Sequence, residues 1–63
     1  MEIKQLEEKA LQCLSQPATD EIVYYLKKND AKQALTILLR EEGHWISKEA
    51  GSRLIEYWTP KFR

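Results

Sequence analysis

The interruptions in this chain restrict its fold more than any other feature. Ser15-Gln16-Pro17, Asn29-Asp30, Gly43 and Thr59-Pro60 cut it into short segments. The stretches between them are rich in Leu, Ala, Glu, Lys and Gln, the residues that lose least on entering a helix. No segment alternates apolar and polar residues strictly, as a half-buried strand would. The pattern predicts an all-α fold, a compact bundle of four short helices over about 2–15, 20–28, 30–42 and 47–58, forming one domain across residues 1–63.

Each segment carries an apolar stripe. In the first, Ile3, Leu6, Ala10, Cys13 and Leu14 fall on one side, and the 3, 6, 10, 13 spacing reads as a two-heptad seam. Leu11 lies off that seam and implies a second, smaller contact. Pro17 ends the first helix and suits the opening turn of the second, with Thr19 as the expected cap. Ile22, Val23 and Leu26 form the second stripe, while Tyr24 points nearly the opposite way. Asn29 tolerates a left-handed turn, and Asp30 with Gln33 resembles a capping box. Ala31, Ala34, Leu35, Leu38 and Leu39, widened by Ile37, give the third helix the broad arc of a central element. Gly43 is its expected C-terminal cap. Trp45 and Ile46 precede a Ser47 cap, as in a hydrophobic staple. Ala50, Leu54, Tyr57 and Trp58 then share one face of the fourth helix, which Thr59-Pro60 should stop.

Charge and cysteine content narrow the function. Ten basic and ten acidic residues leave no net charge, unlike a chain that coats nucleic acid. The balance is uneven, however: residues 1–42 carry net −2 and residues 43–63 net +2. The basic end also holds four of the six aromatics. A single cysteine, Cys13, cannot form an internal disulfide. No apolar run approaches the roughly 20 residues of a membrane span. The charged start "MEIKQLEEKA" is unlike a signal peptide. These features point to a reducing cytoplasm.

The candidates for chemistry are few. Cys13 and His44 sit in different segments and fall short of a metal-ligand set. Cys13 on an apolar stripe is expected to behave as a small hydrophobe. His44, just past a helix end, is expected to bond the last carbonyls. The two glycines stand apart and form no phosphate loop. No catalytic, cofactor or metal site is therefore expected.

The reading that remains is a small non-catalytic protein–protein interaction module, a regulator, adaptor or inhibitor acting on a larger protein. Its expected partner surface is Tyr24, Arg53, Lys61, Phe62 and Arg63, where exposed aromatics stand beside cations. A homodimer is expected through Ile3, Leu6, Ala10 and Cys13. Trp58 and Leu54 are expected in the core. The alternative is a small helical nucleic-acid-binding protein using the basic, aromatic C-terminal end. The stretch "EIVYYLKKNDAKQALTILLR" resembles the last two helices of ubiquitin-associated-type three-helix domains, over about a third of the chain. The Met-Gly-Phe loop of that family is replaced here by "SQPAT", and no function is carried across.

Overall fold

A computed structural model describes residues 2–62. Within them lie four helices, α1 (Ile3–Cys13), α2 (Gln16–Lys27), α3 (Ala31–Glu42) and α4 (Lys48–Phe62), and no strand. The all-α bundle is therefore as the punctuation predicts. None of these helices is long and apolar enough to cross a membrane.

The helix ends follow from local hydrogen bonding. Glu2 and Gln5 form a reciprocal capping box at the start of α1. Ser15, not Thr19, caps α2, its Oγ accepting from the Ala18 N–H at 3.3 Å. α2 thus begins one turn earlier than expected, with Pro17 inside its first turn, where the missing N–H costs nothing. The Thr19 hydroxyl instead donates back to the Ser15 carbonyl at 3.0 Å. Asn29 adopts φ 62° between α2 and α3. Asp30 accepts from the Gln33 N–H at 3.3 Å, and Ser47 accepts from Ala50 at 3.1 Å. Gly43 is the C-cap of α3 with φ −61°. A Cβ there would press against the Leu39 carbonyl oxygen, so close approach rather than a left-handed backbone calls for glycine.

α4 runs through Thr59-Pro60 to Phe62 instead of stopping. Pro60 removes the N–H that would bond the Glu56 carbonyl and crowds that carbonyl with its ring, but only the last turn of α4 lies beyond the disturbance. Packing compensates, since Phe62 meets Trp58 edge-on with ring centroids 6.4 Å apart.

The core gathers Leu6, Ala10, Leu14, Ala18, Ile22, Leu26, Ala34, Ile37, Leu38, Ile46, Leu54, Ile55 and Trp58. Trp58 and Leu54 lie inside, as their stripe predicts. Ala31, expected in the α3 stripe, is exposed. α4, rather than α3, packs substantially on all three other helices. Gly51 lets it approach α3 closely, because a Cβ there would already lie 3.1 Å from Leu35 Cδ1 and 3.2 Å from Leu39 Cδ2.

The seam on α1 faces inward. Leu6 is 7% exposed and Ala10 fully buried, and Ile3 packs against the core. Cys13 is exposed and not part of that stripe. Of the four residues expected at a homodimer contact, Leu6 and Ala10 are thus taken up by the core, while Ile3 is partly at the surface and Cys13 is exposed.

Candidate interaction surface

α1 docks chiefly on α4, and a carboxylate marks the junction. Glu7 sits next to the buried stripe of α1, its side chain 18% exposed. Its Oε2 accepts from the Trp58 indole N–H at 2.5 Å and from Lys61 Nζ at 3.3 Å. The Lys61 ammonium also lies 4.3 Å from the centre of the Tyr57 ring. Tyr57 above all holds Lys61 above the usual lysine pKa of 10.5; desolvation opposes it, and Glu7 adds to the rise. The cluster thus joins indole, carboxylate, ammonium and phenol across two helices.

A similar pairing recurs after α3. Glu42 is buried, at 4% exposure, and accepts from the Trp45 indole N–H at 2.6 Å. Lys9 of α1 places Nζ 4.5 Å from the Trp45 ring centre. Both tryptophans thus satisfy their only donor while burying most of the ring.

Two depressions flank the α1–α4 junction. The first is a shallow groove of about 20 Å3 lined by Leu11, Leu14, Thr19, Ile22, Val23, Trp58 and Phe62. Its walls are apolar except for Thr19. Leu11, at 50% exposure, stands on its edge. The second is a pocket of about 180 Å3 lined by Ile3, Leu6, Ala50 and Arg53. Arg53 is exposed and, among the described residues, has no carboxylate within 4 Å.

The sequence-predicted surface is dispersed by the fold. Tyr24 is 52% exposed on the outer side of α2. It carries Lys28 over its ring at 4.8 Å and meets Tyr25 edge-on. The Tyr24 side chain, chiefly through hydrogen bonding, raises the Lys28 pKa above 10.5. Arg53 borders the α1–α4 pocket, and Lys61 is engaged by Glu7 and Tyr57. Phe62 belongs to α4 and lies half-buried in the groove instead of trailing beyond a stopped helix. Arg63 lies outside the described residues. Leu11, which lies off the α1 seam, is half exposed at the groove and is not packed into the core. Glu7 was missed, because nothing local distinguishes it from neighbouring Glu8.

For chemistry, His44 and Cys13 are both exposed, and no group of three or more His, Cys, Asp or Glu among the described residues could hold a metal ion. Trp58, at 3% exposure, cannot present its face to a nucleobase. The chain matches no protein-family model, and no characterised protein or solved structure is significantly similar to it.

Proposed function

We propose that this chain is a non-catalytic protein–protein interaction module that acts on a larger protein through the side where α1 and α4 meet. The observation that carries this reading is the apolar groove edged by Leu11. A leucine half-exposed beside Val23 and Phe62 leaves apolar area in water that a partner side chain would cover. Covering such exposed apolar side chains at the centre of a contact is where protein interfaces gain much of their affinity. The zero net charge and the inward position of Trp58 favour this reading over nucleic-acid binding.

The test is affinity capture from a lysate of the source cell using the whole chain, with and without nuclease. Leu11→Glu changes an exposed side chain and should leave the melting temperature unchanged while abolishing capture. Lys32→Glu, an exposed side chain of α3 outside that groove, should capture as the wild type does. Capture that needs nucleic acid, or that survives Leu11→Glu, overturns the proposal.

A further inference from the structure

The pocket between the N-terminal halves of α1 and α4 combines two properties that the Leu11 groove lacks. Its volume of about 180 Å3 falls below the roughly 300–1,000 Å3 of small-molecule sites; it is the scale of an inserted side chain. Its floor is apolar, formed by Ile3, Leu6 and Ala50, and its rim carries the Arg53 guanidinium. The other cations near carboxylates are already engaged, Arg40 with Glu21 and Glu41, and Lys61 with Glu7. Arg53 is not. Glu49 and Glu56, on the same helix, remain beyond 4 Å from it. α1 and α4 also both begin beside this pocket, but Glu2 and Glu49 already stand at those helix starts, so the positive charge on the pocket is that of Arg53.

We propose that this pocket docks an acidic segment of a partner protein, which inserts one leucine- or phenylalanine-sized side chain between Ile3 and Ala50 and sets a carboxylate on Arg53. The proposal rests on the interaction-module reading and names the chemistry of the partner. The apolar floor supplies affinity by burying the inserted side chain. Arg53 supplies selectivity, because its fork of N–H donors matches a carboxylate and would repel a basic segment.

The experiment follows backbone amide shifts of the full chain on titration with a blocked helical peptide that carries one leucine between glutamates. Saturable shifts are expected at Ile3, Leu6, Ala50 and Arg53. Arg53→Gln should weaken binding about tenfold, the loss of one charge-assisted hydrogen-bonding group. Ala50→Leu should abolish it by filling the pocket, with its melting temperature checked. Arg53 is exposed, so its variant folds whatever the outcome for Ala50. A peptide with lysines in place of the glutamates should not bind.

Four results would overturn the proposal: no saturation up to about 1 mM peptide, equal binding by the lysine peptide, an oligothymidylate that displaces the peptide, or shifts that follow protein concentration alone and so reveal a second copy. Shifts confined to Leu11, Val23 and Phe62 would also overturn it while leaving the interaction-module reading intact. The Leu11→Glu capture experiment tests that reading independently.

Discussion

The Trp58 indole N–H and Glu7 Oε2 meet at 2.5 Å across 51 residues of sequence. This bond ties α1 to α4 beside the apolar packing of Leu6, Ala10 and Leu14. Glu7→Ala should destabilise the fold by about 1–3 kcal/mol, because the buried indole loses its acceptor. Glu7→Gln keeps an acceptor oxygen and should cost less. Trp58→Ala should cost about 3–5 kcal/mol through the cavity alone. A double-mutant cycle in urea should give a coupling of about 1 kcal/mol between the two residues. Additive effects would mean that the bond holds nothing.

Lys61 predicts an alkaline effect. Its folded-state pKa is raised above 10.5, first by Tyr57 and then by Glu7. A raised pKa means that the folded chain holds the proton more tightly than the unfolded one. The stabilisation is therefore complete below the unfolded value and is lost as pH climbs through the folded one. Stability measured against Lys61→Met should differ by a constant amount at neutral and mildly alkaline pH, and the difference should shrink above 10.5. A difference that grows with pH would refute this.

Ser15 and Thr19 stand one turn apart and can be separated by substitution. Ser15→Ala removes the acceptor for the Ala18 N–H and should cost about 1 kcal/mol by chemical denaturation. Thr19→Ala removes only a hydroxyl bonded back to a carbonyl that already accepts the Thr19 N–H, and should cost less. The reverse order would place the cap where the sequence suggested.

Pro60 should be replaceable with profit to the helix. Pro60→Ala restores a donor for the Glu56 carbonyl and removes ring crowding in the last turn of α4. The expected gain is about 1 kcal/mol, with slower hydrogen exchange at Lys61 and Phe62. Unchanged exchange would show that the end of α4 is held by Trp58–Phe62 packing alone.

The sequence reports what neighbours along the chain decide. Asn29, Asp30, Gly43 and Ser47 mark their turns because each supplies its own hydrogen bond or backbone geometry within a few residues. Leu54 and Trp58 announce the core by helical spacing. The start of α2 misleads because Ser15 and Thr19 are both good caps, and the choice depends on whether Pro17 falls inside the helix or before it. The end of α4 misleads because only Lys61 and Phe62 follow Pro60 in the helix and Phe62 packs on Trp58, a contact that the local sequence does not show. Most of the candidate surface lies deeper still. Glu7 and Arg53 look like ordinary charges on helical faces. Only the crossing of α1 over α4 gives one a tryptophan and a lysine and leaves the other beside an apolar pocket.

The two indoles also make the chain self-reporting under ultraviolet light. Trp45 is bonded to a glutamate three residues away, and Trp58 to one 51 residues away. The first pairing needs only the end of α3 and the turn after it, while the second needs α1 seated. With Trp45 replaced by phenylalanine, the emission of the remaining indole becomes a direct optical readout of one helix arriving on another.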